Sequence, residues 1–144
     1  MEKTPELLCY IYKNVKMGSD AIVDLLPKVE DSNFKTALTE QLSGYEKFAS
    51  EAEKQLTPLG VKPKEEPMMK KMMTKMGIAM NTRADASVGH MAEMLSQCST
   101  MGITDMTKHV REFEGEGCPE QALMLGRELI TFEQNNIEKM KTFL

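Results

Sequence analysis

The sequence predicts an all-α fold: one domain over residues 1–144, built as a four-helix up-and-down bundle with one short extra helix. Three observations carry this expectation. Apolar residues recur every three or four positions in separate segments, the spacing of a buried helical stripe. Capping and stopping residues stand between those segments. No run alternates apolar and polar residues, and no Asn-Gly pair marks a hairpin, so no strand is expected.

The first segment opens with Thr4 as N-cap, Pro5 at the first helical position and Glu6 at the positive end of the helix dipole. Its stripe is Leu8, Ile11, Val15, Gly18, Ile22, Leu25 and Val29, with Pro27 ending or bending the last turn. Asp31 or Ser32 caps the second. Its stripe is Phe34, Leu38, Gln41 or Leu42, Tyr45, Phe48 or Ala49, Ala52 and Leu56, and Gly60 offers a left-handed stop. The loop VKPKEEP continues the break.

Pro67 is expected to open a third helix reaching about Thr100, roughly 50 Å if unbroken, with Gly77 and Gly89 as weak points. After Gly102, Thr104 or Asp105 is expected to cap a short segment ending near Glu114. The sequence GEGCP makes a turn, and Pro119 starts the last helix. That helix carries Ala122, Leu125 or Gly126, Leu129, Phe132 or Glu133, Asn136 or Ile137, Met140 and Phe143. About ten extended residues between the second and third helices reach ~33 Å. A crossover is barely within that reach and a tight antiparallel turn is easier, so both topologies stay open.

Composition narrows the function classes. A net charge of −4 argues against nucleic acid as partner, because phosphate binding leans on a basic surface. No basic region precedes an apolar run, so no signal peptide is expected, and no apolar stretch has the ~18 residues of a membrane span. Cys9, Cys98 and Cys118 are odd in number and lack CxxC spacing, which fits a reduced cytoplasmic chain.

The stretch MMKKMMTKMGIAM, residues 68–80, holds six of the 14 methionines. Met69, Met73, Met76, Met80, Ala84, Ser87, Met91, Met94 and Cys98 follow one helical stripe, which Met68 and Met72 widen. Three uses fit: core packing, an adaptable docking face through Met68, Met69, Met72, Met73 and Met76, or a soft-metal site for Cu(I). Helical spacing favours packing, and no histidine or cysteine lies within one turn of the stretch to complete a copper site.

A four-helix bundle raises the di-iron question. That site needs inward carboxylates and two Glu-x-x-His pairs. The positions three before His90 and His109 are Ser87 and Met106. The reverse order is present, His90-x-x-Glu93 and His109-x-x-Glu112, with Asp105 one turn before His109. Those five are the candidate metal ligands, for iron or another transition metal; each His–Glu pair can equally be a surface hydrogen bond. Cys118 lies at a helix start, where a thiolate is stabilised, with His109 the only plausible base. Cys9 and Cys98 lie near apolar stripes and read as inert. The motifs GxSxG, GxxxxGK[ST], GxGxxG and HExxH are absent. The acidic run EFEGEG lacks the ordered spacing of a calcium loop.

Two stretches, EQLSGYEKFASEAEKQLTPLG at 40–60 and ELITFEQNNIEKMKTFL at 128–144, resemble the second and last helices of the ferritin-like superfamily, most of all its small bacterial domains. The resemblance implies the four-helix fold. The family's Glu-x-x-His signature has no counterpart here, so no metal ligand is carried across. Glu6, Glu40, Glu46, Glu128 and Glu133 are expected at the bundle's edge, since burying carboxylates without a metal is costly. The expected function is that of a non-enzymatic cytoplasmic protein acting through helix-face association, as a homodimer or with another helical protein. The alternative is a di-metal or soft-metal protein of redox or storage type.

Overall fold

The computed structural model describes residues 3–63 and 87–144. They form helices α1 (Lys3–Leu25), α2 (Ser32–Leu56), α3 (Val88–Glu114) and α4 (Glu120–Lys141), with no strand among the described residues. Proline closes the first two. Pro27 and Pro58 sit in single 3-10 turns, Leu26–Lys28 and Thr57–Leu59, because the ring cannot continue the α-helical hydrogen-bond ladder. Gly60, at φ 70°, then takes the left-handed stop. Asp31 is the cap of α2: its side chain accepts from the Phe34 N–H at 2.8 Å.

α3 departs from expectation at both ends. Ser87 is extended (φ −67°, ψ 150°) and accepts from the His90 N–H, so it caps a helix beginning at Val88 instead of lying inside one begun at Pro67. Pro67 itself, the weak point at Gly77 and the methionine stretch lie outside the described residues. Nor is there a separate short helix after Gly102. α3 runs unbroken to Glu114, and Thr104, expected as a cap, sits mid-helix and donates to Thr100 O at 3.0 Å. Gly102 is tolerated because its missing Cβ admits side chains from two other helices.

Cross-helix contacts give the topology. Gly18 of α1 lies against the Tyr45 ring of α2, and Tyr12 shares a surface depression with Glu53, so the two run antiparallel. Gly102 meets Glu133 and Gly126 meets Val110, so α3 and α4 do too. Asn14 reaches Gly102, and Tyr10 stacks on His109, making α1 antiparallel to α3. Tyr45 meets Glu133 while Phe34 meets Phe143, making α2 antiparallel to α4. Hence α2 and α3 point the same way across the diagonal. The end of α2 and the start of α3 lie at opposite ends of the bundle, which corrects the strict up-and-down alternation and the tight-turn option.

The core is the expected set of stripes. Leu8, Ile11, Val15, Ile22, Leu25, Phe34, Leu38, Tyr45, Ala52, Leu56, Leu129 and Met140 are buried. So are Met91 and Met94, which supports the packing reading for the described methionines of that stripe.

Candidate functional site

Midway along the bundle the apolar core is interrupted by a polar centre to which all four helices contribute. The stripe choices that sequence left open resolve inward as Gln41, Glu133 and Asn136, with Leu42, Phe132 and Ile137 only half-buried. Glu133 is 3% exposed. This corrects its expected place at the edge; Glu6, Glu40, Glu46 and Glu128 are indeed exposed.

Neighbouring donors explain how a carboxyl group is held there. The Tyr45 hydroxyl donates to Glu133 Oε1 in a short hydrogen bond. Asn136 Nδ2 donates to the same oxygen at 3.2 Å, one helical turn away on α4. Ser99 of α3 adds a further hydrogen bond. Asn14 of α1 donates through Nδ2 to Gly102 O at 3.1 Å, pinning α1 to α3 beside the carboxyl. A Cβ on residue 102 would stand 2.9 Å from Glu133 Oε2 and 3.2 Å from Asn14 Oδ1, so glycine is what lets both side chains approach α3.

Burial is the larger influence on Glu133 and raises its pKa to about 7, against the three hydrogen bonds that favour the charged form. Burial also raises Tyr45 well above the usual phenol value, reinforced by the neighbouring Glu133 charge. Cys98, beside the same carboxyl, is pushed up to about 11 for the same two reasons. It is therefore a neutral thiol at physiological pH, as its inert reading requires.

The expected ligands are elsewhere and apart. His90 and Glu93 stand near the start of α3, while Asp105, His109 and Glu112 occupy its second half. The two histidines are 19 positions, about 28 Å, apart along the axis. The His109 ring stacks on Tyr10 at 3.8 Å and 11°, with its Nδ1 buried and without a hydrogen-bond partner. Glu93 and Glu112 are exposed. No three His, Cys, Asp or Glu side chains among the described residues come close enough to hold a metal ion. Cys118 is buried in the turn before α4 instead of open at a helix start. From the acidic run, Glu114 pairs with Arg127, which also pairs with Glu120, tying the α3–α4 corner together.

The polar centre does not fit a di-metal cofactor. Such a site uses about six inward carboxylate and imidazole ligands. This centre supplies one carboxylate, three amides, two hydroxyls and a thiol.

Sequence missed the centre for a definable reason. Gln41, Glu133 and Asn136 were legible as stripe positions, but Asn14 and Ser99 sit one position off theirs, and only the packed bundle brings the set together. A polar residue on, or one position beside, each apolar stripe at a similar depth is the available signal. No helix among the described residues is long and apolar enough to cross a membrane. Comparison with known proteins finds no matching family model, no matching curated protein and no matching solved structure.

Proposed function

We propose that this chain is a non-enzymatic, cytoplasmic ferritin-like bundle that acts through association of an outer helix face, with a second copy of itself as the partner. The observation that carries the reading is on α3. A shallow depression runs along Glu93, Ser96, Gln97, Thr100 and Met101, with the exposed carboxylate at its N-terminal end, and is bordered by Leu144, which is 67% exposed. Ser96 and Thr100 donate to the carbonyls of Ala92 and Ser96, each at 2.9 Å. Thr104 continues the stripe and is satisfied in the same way. These hydroxyls therefore lose no hydrogen bond when the face is covered, and small side chains allow close helix approach. A two-fold axis across the stripe sets it against its own copy.

The closed polar centre supports the non-enzymatic part, because Tyr45 and Asn136 are directed at its own buried carboxyl. Two antiparallel pairs with α2 and α3 parallel support the ferritin-like reading. The three free cysteines support a reducing compartment. The docking face expected on Met68, Met69, Met72, Met73 and Met76 lies outside the described residues, so the reading rests on α3.

Sedimentation across a wide concentration range is the test. Wild type should show a monomer–dimer equilibrium that Thr100→Lys and Met101→Glu weaken at least tenfold without loss of helicity. A strict monomer, or a dimer indifferent to both changes, sinks the proposal.

A further inference from the structure

The polar centre encloses a small cavity whose space for a water centre is ≈ 10 Å³, about the room that one water needs. Its polar lining includes Asn14, Gln41, Ser99 and Glu133, and Gly18 and Gly102 leave the space open. Gln41 is 7% exposed, and its Nε2 is a buried donor with no hydrogen-bond partner. Such a donor is costly to bury unless something accepts from it. Across the lining, Glu133 Oε2 and Asn14 Oδ1 both approach the point above the Gly102 Cα, and both are acceptors. Tyr45 and Asn136 are already directed at the other carboxyl oxygen, Oε1.

We propose that this cavity binds one water molecule, accepting from Gln41 Nε2 and turned toward Asn14 Oδ1 and Glu133 Oε2, and that this water makes Glu133 a reversible proton-binding site. Gln41 Nε2, Asn14 Oδ1 and Glu133 Oε2 each keep a partner in both charge states. With Glu133 ionised, the water accepts from Gln41 and donates to Asn14 and to Glu133. With Glu133 protonated on Oε2, the water accepts from both Gln41 and Glu133 and donates to Asn14. The carboxyl thus gains or loses a proton while the water reorients and the four helices keep their packing. An amide at that position could not serve both states, because its N–H only donates and its carbonyl only accepts, whereas a water does both.

The other titratable groups facing the cavity leave Glu133 to act alone. α1 contributes no titratable group, α2 contributes Tyr45 and α3 contributes Cys98; both of these titrate far above neutrality. No Lys, Arg, His or Asp lines it.

The test uses full-length, isotope-labelled protein. Wild type should show a long-lived water in contact with the Gln41 side-chain amide in rotating-frame Overhauser spectra, and the Glu133 carboxyl carbon should titrate with a midpoint near neutrality. Gln41→Leu keeps the volume and removes the donor; it should raise the midpoint by about one pH unit, a tenfold change in proton affinity. Melting in sodium, potassium and choline chloride at matched ionic strength should be identical. Absence of the water contact in wild type overturns the proposal, as does an unmoved Glu133 midpoint in a folded Gln41→Leu. A melting temperature that depends on which cation is present, and loses that dependence in Glu133→Gln, also overturns it by assigning the cavity to a cation. The wild-type spectra decide even if the variant does not fold.

Discussion

A carboxylate has about 4.3 as its ordinary pKa, and Glu133 is raised to about 7 by burial. Between those values the folded chain holds a proton that the unfolded chain has released. Raising the pH through this window therefore removes stability; below it both states are protonated, and above it both are charged. The loss is about 4 kcal/mol in total, at about 1.4 kcal/mol per pH unit. Denaturant unfolding of wild type and Glu133→Gln from pH 4 to 8 should show this falling contribution in wild type alone. Tyr45→Phe removes a hydroxyl that favours the charged carboxylate. It should shift the Glu133 midpoint upward and cost about 1–3 kcal/mol above neutral pH, read by the same denaturation series.

Helices in this bundle approach closely where glycine permits, and the permission is local. At Gly18 a Cβ would run into the Tyr45 ring, which is itself fixed by its bond to Glu133. Gly18→Ala should therefore destabilise by about 1–3 kcal/mol, although alanine is the better helix former. At Gly89, in the first turn of α3, the nearest atom to a Cβ is 3.8 Å away, an ordinary contact. Gly89→Ala should leave stability unchanged or raise it by up to about 1 kcal/mol. Thermal melts should show a lowered midpoint for Gly18→Ala and an equal or raised one for Gly89→Ala. Asp31→Ala, which strips the cap from α2, should cost about 1 kcal/mol in the same assay.

At the scale of the whole molecule, two antiparallel hairpins, α1–α2 and α3–α4, are joined through the centre by the Asn14–Gly102 and Tyr45–Glu133 bonds. The depth at which bundles of this shape can build a metal site is here occupied by one carboxyl group and neutral partners. Elemental analysis of protein grown with iron, manganese, zinc and copper should find no stoichiometric iron or manganese, and His90→Ala and His109→Ala should leave the metal content unchanged. One or two tightly held hard-metal ions per chain, lost in either variant, would restore the di-metal reading.

The amino-acid sequence by itself determined the helical class, the stops at Pro27 and Gly60, a cap at Asp31 or Ser32 and most of the buried stripe, because propensity, capping and period are local properties. It also offered Gln41, Glu133 and Asn136 as inward candidates, each beside an apolar neighbour that would have served as well. Tertiary structure decided among them. Phe132 is pushed to a half-buried position against Tyr45 and Phe48, and Glu133 turns in because Tyr45, Ser99 and Asn136 supply donors. Helix direction, the continuity of α3 through Gly102 and the cavity beside Gln41 are likewise products of packing. Each depends on which residues of distant segments arrive at the same depth, and a stripe read along one helix carries no information about its partners' register.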